Sequence, residues 1–221
     1  MALTIKPLSP ELAADYLDFF DRRAFSDGSP YYPCYCCAFQ MTMGQIQAEF
    51  FDRARTGGGG TEAFRLAMRD CAERMIGEGR LRGYLAFDGG EVVGWCNAND
   101  RENYVRTGEF SLEDIPEDGD DPAPEGERVR SIVCFAVAPD CRGRGIASTL
   151  LHRVCEDAAG DGCTAVEGYP VAREELETLD FTGPMRMYEK AGFICVDRRG
   201  GTLVMRKNLL PSAQDVYRRS N

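Results

Sequence analysis

A buried strand that runs through a glycine- and arginine-rich turn into an amphipathic helix strongly limits how a chain can fold. This chain has one centred on Arg142-Gly143-Arg144-Gly145-Ile146-Ala147. Upstream, Ile132-Val133-Cys134-Phe135-Ala136-Val137 is a short apolar run rich in β-branched residues and closed by Pro139-Asp140, which reads as a strand and a turn. Downstream, Ile146, Ala147, Leu150, Leu151, Val154 and Ala158 recur at helical spacing. Such a turn suits an anion. N–H groups at a helix start lack intrahelical partners, and the helix dipole adds partial positive charge there. Gly143 and Gly145 allow close main-chain approach, and Arg142 and Arg144 add full charges.

Two other phosphate loops are excluded. The chain has no Gly-x-x-x-x-Gly-Lys-Ser/Thr, and Ser148 stands where a dinucleotide fingerprint requires a third Gly or Ala. The run instead matches the Arg/Gln-x-x-Gly-x-Gly/Ala signature of the GNAT acetyltransferases, as Arg142-x-x-Gly145-x-Ala147. Met187-Tyr188-Glu189-Lys190-Ala191-Gly192-Phe193 resembles a second segment of that family, at the distance and in the order the family requires.

Composition narrows the partners. With 221 residues, 43% of them hydrophobic and 28% charged, the chain suits a single globular domain with decorations. A net charge of −10 argues against nucleic acid or an anionic membrane surface, since Arg142/Arg144 and Arg198-Arg199 are too small as basic clusters to reverse it. No signal peptide or apolar span stands out, so the ten cysteines read as reduced thiols in a cytoplasm. Cys34-Tyr35-Cys36-Cys37 raises the question of zinc. With no Cys-x-x-Cys and His152 as the single histidine, the expectation is no metal and thiols in a loop lining the cleft.

Along the chain, Leu3-Thr4-Ile5 reads as a strand. Ser9 then caps a helix with Pro10 at its first position and Leu12, Ala13, Tyr16, Phe19 and Phe20 on its apolar face. Residues 26–39 read as irregular. Thr42 and Gln45 form a capping box for a short helix through Ile46, Phe50 and Phe51. After the glycines of 57–60, Thr61 is expected to cap a helix bearing Phe64, Met68, Cys71, Met75 and Ile76. A hairpin turns at Asp88-Gly89-Gly90, between Gly83-Tyr84-Leu85-Ala86-Phe87 and Val92-Val93-Gly94-Trp95-Cys96. Residues 109–127 are acidic and rich in Pro and Gly, a solvated insertion. The signature strand and helix follow. Thr164-Ala165-Val166-Glu167 then reads as a strand, 185–190 as a helix, and Phe193-Ile194-Cys195-Val196 with Leu203-Val204-Met205 as a last hairpin.

The resemblance implies an α/β chain with the GNAT fold, a mixed and mostly antiparallel sheet flanked by helices. It implies one domain over 1–221, with a helical and irregular elaboration at 26–60 and the acidic insertion at 109–127. It further implies acetyl-CoA as acyl donor, held at Phe135 and Val137 and at Arg142, Gly143, Arg144, Gly145, Ile146 and Ala147. The acceptor is a primary amine of a small molecule or peptide, and a homodimer is compatible with this reading. Tyr188 matches the family tyrosine that gives a proton to the leaving thiolate. The strand at 130–137 contains no glutamate, so Glu167 is the expected base, with Asp100 or a water chain as alternatives. An acidic insertion near the acceptor side would draw a cationic amine. The competing class is a non-catalytic acyl-CoA-binding sensor, which has no use for a proton donor.

Overall fold

The computed structural model describes residues 3–107, 126–172, 181–199 and 201–209. Among them, β1 (Thr4–Pro7), β2 (Gly83–Asp88), β3 (Glu91–Asp100), β4 (Val129–Val137), β5 (Ala165–Gly168), β6 (Ile194–Arg199) and β7 (Thr202–Asn208) form one sheet in the order β1-β2-β3-β4-β5-β7-β6. All neighbouring strands are antiparallel except β4 and β5. The helices are α1 (Ala13–Arg22), α2 (Met43–Ile46), α3 (Arg53–Thr56), α4 (Gly60–Gly77), α5 (Ile146–Gly160) and α6 (Met185–Lys190).

Helices cover both faces because successive strand residues point to opposite sides. On β3, Gly94 lies directly beneath Ile146 at the start of α5. Its neighbour Trp95 is fully buried on the other face, edge-on to Tyr16 of α1 at 4.9 Å. Leu150, Leu151 and Val154 of α5 have no exposed surface, so the apolar stripe read from the sequence is the packed one.

Several local expectations hold. The capping box is formed: the Gln45 N–H donates to Thr42 Oγ1 at 3.3 Å and the Thr42 N–H to Gln45 Oε1 at 2.9 Å. The helix it opens widens into a π-helical stretch, Gln47–Asp52, and ends with α3. Other boundaries differ. Gly59, at φ 77°, precedes α4, so Thr61 lies inside the helix rather than capping it. Ser9 makes no side-chain cap, and Pro10–Leu12 forms a tight turn before α1. Strand β3 runs on to Asp100, well beyond Cys96, because it pairs with β4 along that length. Of the acidic insertion, all but Gly126 and Glu127 lies outside the described residues.

The feature that positions a site is the short pairing of β4 with β5. It runs from Val129↔Ala165 to Ile132↔Gly168 and stops. Beyond Gly168 the chain stays with the β7 side, where Leu203 donates to the Pro170 carbonyl at 2.8 Å, while β4 continues along β3 to Val137. A notch therefore opens beside residues 133–137.

Candidate active site

Gly143 and Gly145 adopt φ of 75° and 79°, left-handed values that a side-chain-bearing residue takes only under strain. This sharp turn delivers the chain into α5, whose N-terminus has no side-chain cap. The main-chain N–H groups of Gly143 through Ser148 have no hydrogen-bond partner among the described residues. Gly143, Gly145, Ile146, Ala147 and Ser148, with Phe135 and Val137, help to line a cavity of about 320 Å³.

The arginines are more engaged than the sequence suggests. Arg142 donates from Nε to the Val137 carbonyl at 3.2 Å and from Nη1 to Asp27 Oδ2 at 2.5 Å, and its Nη2 is buried without a partner. Its hydrogen bond to Asp27 holds that carboxyl below the ordinary carboxylate value. Arg144 pairs with Asp88 at 2.7 Å. Both side-chain charges are thus compensated, and the unpaired donors are the main-chain groups together with Arg142 Nη2.

The notch adjoins this cavity. Ala138 donates to Val93 on β3 at 3.0 Å, and N–H groups alternate sides along a strand, so Phe135 and Val137 direct theirs to the open edge. The Phe135 N–H is already taken, donating to the Phe181 carbonyl at 2.6 Å. The Phe135 main-chain donor is therefore occupied by the chain itself, while Val137 and Phe135 both line the cavity. Phe181 and Thr182 were not singled out by sequence reasoning. The Gly183-Pro184 pair marks a loop there, but no local signal tells where its carbonyls point.

Tyr188 lies on α6 and has no exposed surface. Its ring packs edge-on against Phe193 at 5.3 Å and Phe135 at 6.5 Å, and a Cβ built on Gly168 would overlap it. Its hydroxyl donates to the Thr182 carbonyl at 2.7 Å. The phenol thus stands behind segment 181–183, beside the notch, and lines neither this cavity nor the second one described below.

The structure does not bring Glu167 to Tyr188. Gly168 faces the Tyr188 ring, so its strand neighbour Glu167 points to the opposite face. There Glu167 accepts from Arg206 at 2.8 Å and from the Tyr169 hydroxyl at 3.0 Å. Asp100 is equally committed, pairing with Arg128 and Arg130 at 2.9 Å each. Neither carboxylate lines the cavities. His152 lies on α5 and is exposed.

A second cavity, about 380 Å³, opens on the side of β4 covered by the 26–60 region. Its walls include Phe20, Phe39, Phe50, Phe64 and Tyr31, with Val133, Cys134 and Ala136 of β4 behind them. Cys34 and Cys36 also line it, as the loop reading expected. Burial and then the adjacent Cys134 thiol push Cys36 well above an ordinary thiol, and contact with Cys36 followed by burial does the same to Cys34. Both effects favour the protonated, poorly nucleophilic thiol. All ten cysteines are free thiols. No cluster of His, Cys, Asp or Glu suited to a metal occurs among the described residues, and no described helix is long and apolar enough to cross a membrane.

A model of the acetyltransferase (GNAT) family matches residues 45–193. In structure the chain is similar to the GNAT domain of PAT from S. lividans, at 15% identity and a TM-score of 0.51, with 92% of this chain and 89% of that one covered. It is also similar to the PaiA N-acetyltransferase of Thermoplasma acidophilum in complex with coenzyme A, at 13% identity and a TM-score of 0.50, with 94% and 99% covered. At these identities the likeness is one of fold. No curated protein matches the chain in sequence.

Proposed function

This chain belongs to the GNAT acetyltransferase family, and from that premise we propose that it moves the acetyl group of acetyl-CoA directly to a primary amine of a small molecule or peptide. One observation carries the reading. A row of main-chain N–H groups between Gly143 and Ser148 has no partner among the described residues, and Gly143 and residues 145–148 line a cavity that adjoins the notch beside β4.

That row fits an anionic pyrophosphate, because helix-start donors and the dipole favour negative charge. The buried, unpartnered Arg142 Nη2 is a further donor with a use for such a ligand. When bound, acetyl-CoA supplies an acetyl group activated as a thioester. Phe135 and Val137 present N–H groups at the strand edge, where donors are suited to hold a carbonyl oxygen. The Phe181 carbonyl on Phe135 marks that edge as a carbonyl-binding position, and segment 181–183 must withdraw for the donor to be released.

In the transfer, the N–C bond forms as the C–S bond breaks, the amine loses a proton, and the thiolate gains one. Tyr188 is the residue assigned to give the thiolate its proton, since a phenol is protonated at neutral pH. That hydroxyl donates to the Thr182 carbonyl, so this bond must break before it can reach a thiolate. With Glu167 held by Arg206 and facing away, the amine's proton is assigned to water rather than to that carboxylate. The reading places the protein in solution within a cytoplasm and keeps the domain division drawn from the sequence.

The deciding experiment follows free thiol released from acetyl-CoA across an amine panel, with a mass spectrum of the protein to expose self-acetylation. Amine-dependent release supports the enzyme. Tight coenzyme A binding with no release under any amine turns the chain into a sensor.

A further inference from the structure

The second cavity differs in chemistry from the first. Its described lining contains no Asp, Glu, Lys or Arg. Aromatic rings from α1, the 26–60 region and α4 form the walls, with Phe64 of α4 at 5.2 Å from Phe51 and 6.2 Å from Phe50. Tyr31 and Phe51, both partly exposed, form the rim. The floor is β4, the strand that carries the notch on its edge.

The two cavities meet at one residue. Phe181 lines both, its ring lying 4.7 Å from Tyr31 and 5.7 Å from Phe25, while its carbonyl holds the Phe135 N–H. Thr182, which also lines the second cavity, accepts the Tyr188 hydroxyl. A molecule in the second cavity therefore approaches the transfer position through segment 181–182, from the side opposite the phosphate-binding turn.

We propose that this cavity is the acceptor pocket and that it selects a monoamine with an apolar aryl or alkyl body, an inference that rests on the acetyl-transfer reading. The body packs among the rings, and the amino group points to the end of the cavity that Phe181 and Thr182 close before that segment withdraws. Burying apolar area is favourable, whereas a second ammonium placed among these walls would lose its hydration with no carboxylate among the described lining residues to compensate it. The pocket thus discriminates against diamines and polyamines by chemistry rather than by size. The acidic insertion from which a cationic attraction is expected lies, but for Gly126 and Glu127, outside the described residues.

The test measures kcat/KM for acetyl-CoA-dependent thiol release with n-alkylamines from ethyl to hexyl, with 2-phenylethylamine, and with 1,4-diaminobutane and spermidine. The expected result is a rise of about fourfold per added methylene, 2-phenylethylamine among the best acceptors, and the diamine at least about tenfold below butylamine. Phe64→Ala should raise KM for 2-phenylethylamine about tenfold, with the Kd for coenzyme A reporting that the variant is folded. Preference for the polyamines, or no dependence on chain length, overturns the proposal. So does turnover that rises with the acyl chain of the donor (acetyl to hexanoyl) instead of with the amine, which would assign the cavity to the donor. If no amine turns over, the acetyl-transfer reading falls separately. Calorimetry on the coenzyme A complex then decides the pocket: binding of 2-phenylethylamine that Phe64→Ala weakens upholds its ligand class, and no binding overturns it.

Discussion

The Tyr188 ring leaves no room for a side chain at Gly168, so position 168 measures how firmly the phenol is seated. Gly168→Ala forces the ring or β5 to move and should destabilise the protein by about 1–3 kcal/mol. For a chain of this size that lowers Tm by roughly 2–4 °C per kcal/mol, read by thermal unfolding. Tyr188→Phe keeps the packing against Phe193 and removes the proton. Under the proposed mechanism kcat should fall about 10²-fold or more while the Kd for acetyl-CoA stays within twofold. Wild-type turnover, measured where chemistry limits the rate, would leave Tyr188 as a packing residue bonded to Thr182. Reading the sequence brought out Tyr188 through the segment around it. The Thr182 carbonyl on its hydroxyl was not readable, because nothing in residues 181–184 states which way a main-chain carbonyl will point.

At the scale of elements, the turn into α5 matters through backbone shape as much as charge. Gly145→Glu introduces a side chain at φ 79° and a carboxylate beside the free N–H groups. Coenzyme A affinity should drop at least about 100-fold, measured by calorimetry on a variant whose circular dichroism matches wild type. Undiminished affinity would separate the turn from the cofactor. This element was legible because its determinants are neighbours in the chain: the β-branched run, the two glycines and the helical spacing from Ile146 to Ala158. The boundaries of α4 and β3 were less so. Gly59 can take the positive φ that precedes α4, which makes a cap at Thr61 unnecessary. The length of β3 is set by its partner β4, which lies far away in sequence.

For the whole molecule, one ion-pair cluster reports on pH. Asp100, at the end of β3, pairs with Arg128 and with Arg130 of β4, and Arg130 also reaches Asp161 beyond α5. Burial raises the Asp100 pKa, but hydrogen bonds and charge from Arg128 and Arg130 outweigh it, so the net direction is down. A depressed carboxylate contributes stability that is complete above its unfolded value near 3.8 and is lost as pH falls through the lower folded value. Asp100→Asn should therefore cost about 2 kcal/mol at pH 7, between the worth of exposed and buried pairs. The difference in Tm between variant and wild type should shrink toward zero at a pH below the folded value. An equal difference at both pH values would show that packing, not charge, is what Asp100 supplies.

By itself the sequence determined the strand, turn and helix centred on residues 142–147, the place of Tyr188 on a short helix, and the order of elements around them. Those follow from conformational preferences acting over a few residues, where glycine, proline and apolar spacing settle the backbone. Tertiary structure alone decided the rest. It pairs Arg142 with Asp27, 115 positions away, and commits Glu167 to Arg206 on the face turned from Tyr188. It sets the Phe181 carbonyl on Phe135 and gathers rings from separate segments into one pocket whose described lining carries no charged residue. Such partners are chosen by strand register and by which faces pack together, and neither quantity is written in any single stretch of the chain.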